Sequence, residues 1–182
     1  MKITFNAPVI LTFSLISAGV LFLTNFLGIF TTGFVLLPEW DFSNFSWYFR
    51  LMSHTVGHAD SEHLMGNLAF ILLLGPIVEE KYGAKKLIMM ILATGIITAL
   101  LHLTFFSHGL LGASGIVFML ILLVSLVNFK NKEIPLTFIL IVIIYIGKEV
   151  IGSFNADNVS HFAHIIGGII GACFGFMLGG KN

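Results

Sequence analysis

Polar side chains that rarely stand inside apolar sequence recur here at helical spacing. Ser114 stands in the run Gly112-Ala113-Ser114-Gly115, His63 and Asn67 are four residues apart, and His161 and His164 are three apart. A serine hydroxyl beside a neutral imidazole is a nucleophile with its base, because the ring takes the hydroxyl proton as the oxygen attacks a carbonyl. The oxyanion that follows needs preorganised donors. The side chains of His63 and Asn67 suit that task, with the backbone N–H of Ser114 at a helix N-terminus. Taken singly, each residue has a plainer reading. A membrane serine bonds a carbonyl one turn back in its own helix, and a histidine near a helix end is a structural hydrogen-bonder. Their convergence at one depth is what points to chemistry, and that depends on the elements that carry them.

Those elements are membrane helices. The chain has 182 residues, 57% of them hydrophobic, and a mean hydropathy of +1.01. Only 10% are charged, against about 25% in an average soluble domain. Nine Lys+Arg balance nine Asp+Glu. This composition excludes a soluble globular domain, a disordered chain and an electrostatic nucleic-acid binder. Apolar runs at roughly 8–30, 63–81, 85–106, 113–128, 134–153 and 159–180 predict an all-α membrane protein of six transmembrane helices, where a full span requires ~20 residues. Residues 1–182 read as one domain. The first run is too long for the apolar region of a cleaved signal peptide and is expected to be retained. Residues 31–62, with Trp40, Trp47, Tyr48, Arg50, His54 and His58, mix aromatic and polar groups as the bilayer interface favours. Cys173 is the single cysteine, which excludes an internal disulfide and a cysteine-based zinc site. The expected chemistry needs no metal and no cofactor.

Charge sets the orientation. Lys2, Lys81, Lys85, Lys86, Lys130, Lys132 and Lys181 fall on one side of a six-span arrangement, and only Arg50 and Lys148 fall towards the other. The positive-inside rule then places both termini in the cytoplasm. The second, fourth and sixth spans all enter from the outer face, which brings His63, Asn67, Ser114, His161 and His164 to a similar depth. In the sixth span Gly167, Gly171, Gly175 and Gly179 repeat every four residues, and Gly168 widens the stripe. Such a face lets another backbone approach closely, within the fold or across a dimer. Packed on the small residues around Ser114, it brings His164 against the serine. The fourth span, at roughly 15 residues and ~22 Å, cannot cross the ~30 Å hydrocarbon core. Its outer end is therefore expected beneath a water-filled depression lined by Ser53, His54, His58 and Asp60.

Together these residues resemble the rhomboid intramembrane serine proteases in their minimal six-helix form. The resemblance runs from about Trp47 to Gly175 in separated motifs. Arg50 to His58 is similar to the family's Arg- and His-containing run, and His63-Leu-Met-Gly-Asn67 to its HxxxN. Gly75, Glu79 and Gly83 are similar to its small-xxx-Glu-xxx-Gly, and Gly112-Ala-Ser114-Gly to its GxSG. His164-Ile-Ile-Gly167 with Gly171 is similar to its final-helix motif. GxSG alone is weak, since it occurs in unrelated hydrolases; the ordered set is specific. The resemblance implies a dyad of Ser114 as nucleophile and His164 as base, and an oxyanion hole of His63, Asn67 and the Ser114 N–H. Gly112 and Phe118 are then expected beside the substrate. It implies no third member, so Asp157 is not given that role. Phe118 stands where many bacterial members carry a tyrosine that stacks on the histidine. The implied substrates are single-pass membrane proteins, cut within or beside their spans, with the fifth span resembling the mobile helix at which they enter. Glu79 and Arg50 read as structural polar anchors reaching the interface, and the 31–62 loop as a reduced form of the family's helical hairpin. The short chain points to a multi-pass protein of a bacterial plasma membrane. Two rivals stand beside this reading. A proton-relaying transporter would need polar residues across the membrane, and here they gather near one face. A non-cleaving relative would lack the serine or the histidine, and here both are present.

Overall fold

The computed structural model describes residues 2–28, 31–127, 133–152 and 160–179. Lys130, Lys132, Asp157 and Lys181 lie outside them. Among the described residues the chain is helical, with one isolated antiparallel bridge between Leu36 and Leu110. Four helices are long and apolar enough to cross a membrane: α1 (Pro8–Leu27), α3 (Ser61–Tyr82), α4 (Ala84–Phe105) and α8 (His161–Gly179). Between α1 and α3 lies α2 (Phe45–Ser53), and α5 (Ser114–Ser125) precedes α8. The segment expected as one span over 134–153 is α6 (Leu136–Ile141), a π-helical turn (Val142–Ile146) and α7 (Gly147–Gly152) in succession. Of the six transmembrane helices expected, four are helices long and apolar enough to span; the fourth run, short in the sequence as well, holds the 12-residue α5, and the run at 134–153 is interrupted.

At 12 residues, α5 is only about 18 Å long. It is also the most enclosed helix, with every residue from Gly115 to Leu123 buried. A helix apolar all round must be covered all round, and here α3, α4 and α8 do the covering. The closest wall is α8. Gly167 lies against the Gly115 carbonyl, Gly171 against the Met119 backbone and Gly175 against the Leu126 side chain. At the first two positions an added Cβ would fall on backbone atoms. The glycine row therefore serves the internal α5–α8 interface, while Gly168 faces Ile146 and Leu122.

The Gly75, Glu79, Gly83 series has a physical cause in the packing of α1. Pro8 opens that helix, and Glu79 accepts hydrogen bonds from the next two N–H groups, Val9 (3.0 Å) and Ile10 (3.1 Å). A carboxylate on the orphan N–H groups of a helix N-terminus also favours the helix dipole. One turn earlier Gly75 leaves room for the Ile10 side chain, and Gly83, at φ +82°, turns the chain into α4. Glu79 is buried, so it does not reach out to the interface as expected; it caps another helix. Arg50 contributes through its carbonyl, which meets His54 Nδ1 at 3.0 Å.

The 31–62 connection holds one nine-residue helix, α2, with 3₁₀ turns at Thr31–Phe34 and His54–Val56. Asn44 caps α2 by accepting from the Ser46 N–H (3.0 Å), and Asp60 caps α3 by accepting from the His63 N–H (2.8 Å). Trp47 is buried and donates to the Glu39 carbonyl (2.9 Å). Trp40, Phe42 and Tyr48 pack around it with their outer faces exposed, the amphipathic arrangement an interfacial belt uses.

Candidate functional site

Gly112 positions the start of α5. Its φ of +119° is a conformation that side-chain-bearing residues rarely adopt, and a Cβ there would lie 2.7 Å from His63 Cε1. Its N–H donates to the buried His54 carbonyl (2.8 Å). The first helical bond of α5 runs from the Val117 N–H to the Ala113 carbonyl (3.0 Å), so the Ser114 N–H has no acceptor within the helix. Ser114 lines a small cavity with His54, Thr55, Thr98, Gly112 and Ala163. Thr98 sits seven residues before the end of α4, about 10 Å down that helix. The serine therefore starts its helix well inside the bundle.

Asn67 lies one turn beyond His63 on α3. Its Nδ2 donates to His58 Nε2 (3.0 Å), and His58 Nδ1 meets the Val56 carbonyl at 3.2 Å. The carbonyl can only accept, so Nδ1 carries the proton and Nε2 is left as the acceptor for Asn67. The His58 and His63 rings meet edge to face, 5.0 Å apart. Ser53, His54 and His58 are buried rather than lining an open depression as expected. Their polar atoms bond neighbouring backbone or Asn67, and Asp60 serves as a helix cap. Burial above all, with a smaller push from the nearby His102 on the first and His63 on the second, lowers the pKa of both His54 and His58 from 6.5 to about 4. The sign of the linkage follows. The unfolded chain takes up these protons near 6.5 and the folded chain only near 4. The stability the two rings contribute is therefore complete above pH 6.5 and is lost as pH falls through about 4. The melting temperature should decline between pH 7 and 4.5, and less steeply in His58→Gln. A flat profile for the unaltered protein contradicts neutral burial of these rings.

His164 enters from α8. Phe118, one turn after Ser114, stacks face to face on its ring, with centroids 4.5 Å apart and planes 6° apart. Phe118 is itself buried and meets Tyr145 edge-on. Among the described residues no hydrogen bond joins Ser114 and His164. Their helices are held together by the contact of Gly115 and Gly167, and Gly115 also faces the Ala163 carbonyl next to His164.

The residue that sequence reasoning passed over is Glu149, on α7. Its Oε2 lies 2.8 Å from His164 Nδ1 and 2.6 Å from His161 Nδ1. The signal was present, since an ionisable residue inside an apolar run is a functional hypothesis by default. Glu149, His161 and His164 also offer one ligand atom each within 4.8 Å of one another, a spacing that could hold a metal ion. Their hydrogen bonds to one another already satisfy those atoms.

Comparison with known proteins finds relatives over about 70% of the chain. The chain is 26% identical over 131 residues to the Rhomboid protease GlpG of Haemophilus influenzae, covering 70% of this chain and 68% of that one. It is 32% identical over 130 residues to the Rhomboid protease GluP of Bacillus subtilis, covering 69% and 25%. It is 26% identical over 153 residues to Rhomboid-like protein 11, chloroplastic, of Arabidopsis thaliana, covering 75% and 55%. The chain thus spans between a quarter and about two thirds of the length of these relatives. The model of the Rhomboid domain matches residues 44–181, a stretch that holds every candidate site residue, and with that span matched the chain belongs to the rhomboid family.

Proposed function

We propose that this protein is an intramembrane serine endopeptidase that cuts single-pass membrane proteins within or beside their spans. Ser114 is the nucleophile and His164 the base. The observation that carries the reading is the junction of α5 and α8. A serine opens a short enclosed helix, and a histidine ring is clamped one turn along the same interface by Phe118. His164 Nε2 takes the proton of Ser114 Oγ as the oxygen bonds to the scissile carbonyl carbon. The oxyanion is met by the Ser114 N–H and by side-chain N–H groups of His63 and Asn67. The imidazolium then gives its proton to the departing amine, and water repeats the sequence on the acyl-enzyme. The serine–histidine hydrogen bond required for the first step forms as substrate docks, a tightening common between apo and loaded enzymes.

The interrupted segment α6–α7 suits the entry of a membrane-borne substrate. Glu149 is its single fully buried residue among Leu136–Gly152, and its apolar side chains, such as Tyr145 and Ile146, are only partly buried against the core, so the segment is less firmly held than the helices around α5. The π-helical turn in its middle is of a kind frequent at functional sites. In the bilayer the chain forms six spans with both termini in the cytoplasm, in the plasma membrane of a bacterium. A fluorophosphonate probe tests the reading: it should label the unaltered protein in detergent or vesicles and leave Ser114→Ala unlabelled. Equal labelling of the two removes Ser114 from the role and favours a non-cleaving relative.

A further inference from the structure

We propose that Glu149 is a positioning residue for His164, so that this rhomboid protein works with a three-membered Ser114–His164–Glu149 relay. The proposal rests on the reading of Ser114 and His164 given above.

The placement of Glu149 is hard to explain by packing. It is the acidic residue of an apolar segment whose other side chains are not buried, yet it is itself only 6% exposed. A carboxylate taken out of water is costly unless it is paired and hydrogen-bonded, and an apolar side chain would fill the same space without that cost. Its position is accounted for by the two rings it meets. Oε2 accepts from His164 Nδ1 and from His161 Nδ1, which uses both lone pairs of that oxygen. An ionised carboxylate can only accept, so each imidazole carries its proton on Nδ1. For His164 that leaves Nε2 as the basic nitrogen, the tautomer a general base for serine requires.

Phe118 cannot make this choice. Its stack fixes the plane of the His164 ring, but a phenyl group bonds neither nitrogen and does not distinguish the tautomers. Glu149 supplies what the stack lacks. As the Ser114 Oγ proton moves to Nε2, the Nδ1 proton stays on the ring. The imidazolium then faces a negative charge, and Glu149 itself takes no proton. The charged and titratable groups around it are His161 and His164 on α8, His63 on α3 and its neighbour Lys148, whose side chain is exposed.

The test uses the full-length protein in proteoliposomes with a single-span model substrate. Glu149→Leu should lower kcat about 10²–10⁴-fold with KM nearly unchanged, the pattern of a residue acting on the transition state through its neighbour. Glu149→Asp should recover part of the loss, and Glu149→Gln, whose amide oxygen still accepts but carries no charge, should fall between the two. ¹⁵N-histidine NMR gives a readout that simple destabilisation would not move. His164 should be the Nδ1–H tautomer in the unaltered protein and shift towards Nε2–H in Glu149→Leu. Should the leucine variant not fold, the Gln and Asp variants carry both measurements. Wild-type kcat together with an unchanged tautomer in the folded variants overturns the role of Glu149 alone, provided the fluorophosphonate still labels Ser114. Absence of that labelling in the unaltered protein overturns the serine reading and this one with it.

Discussion

Replacing His164 with alanine is expected to lower the rate of substrate cleavage by about 10⁵–10⁶-fold while the protein stays folded. The size follows from how a nucleophile and its base act as a unit: removing either costs nearly as much as removing both. The fold should survive because the ring's contacts are few and separable. Its stack on Phe118 is one aromatic pair, worth about 0.5–1.5 kcal/mol beyond area burial. Its hydrogen bond to Glu149 can be lost without stranding that carboxylate, because His161 Nδ1 still meets the same oxygen at 2.6 Å. Cleavage of a single-span substrate in proteoliposomes and a melting curve in detergent should therefore part company. Cleavage should disappear while the melting temperature drops only a few degrees. Cleavage at the normal rate would place the base on another residue.

The second large effect is on stability. Gly167→Ala should destabilise the protein by about 3 kcal/mol or more, the upper end of what overpacking costs. At this position the obstacle is backbone. An added Cβ would fall on the carbonyl oxygen of Gly115, with the Gly115 carbonyl carbon 2.7 Å away and its Cα 2.9 Å away. No rotamer relieves a clash with a neighbouring helix's main chain, so α5 and α8 must separate. That movement would also pull His164 away from Ser114 and Phe118, so probe labelling should fall with the melting temperature. Gly19 in α1 provides the control. Nothing lies within 4 Å of a Cβ built there, and Gly19→Ala should be neutral or stabilising by roughly 0.5–1 kcal/mol through the unfolded chain's lost freedom. If Gly167→Ala melts at the same temperature as the unaltered protein, the helices are not held at the approach described.

Much of the architecture was legible because long apolar runs are local facts. The runs at 63–81 and 85–106 became Ser61–Tyr82 and Ala84–Phe105, and the run at 159–180 became His161–Gly179, with ends differing by one or two residues. The start of α5 was legible from the Gly112–Gly115 motif, since only glycine accepts φ +119° against the His63 ring. The close approach of α8 was legible from a four-residue glycine repeat, which has one dominant physical use in a membrane.

Other features lay beyond the sequence because they depend on which way a side chain turns. A helix apolar on every side carries little amphipathic signal. Nothing in the run 134–153 says that Glu149 faces the bundle while Ile143, Ile144 and Ile151 face outward, or that the helix widens into a π turn at Val142. Glu79 could be recognised as an anchor, but the groups it binds are N–H atoms about 70 residues away in the chain. His54 and His58 could be placed near the serine, but their burial depends on α2 folding back over α4. Composition and spacing thus determined by themselves which segments are helices, where the short one begins and which face is bare. Tertiary structure alone decided which carboxylate meets which imidazole. Helix formation is set by neighbours a turn away, whereas a hydrogen bond between helices depends on rotations and depths that only the packed bundle fixes.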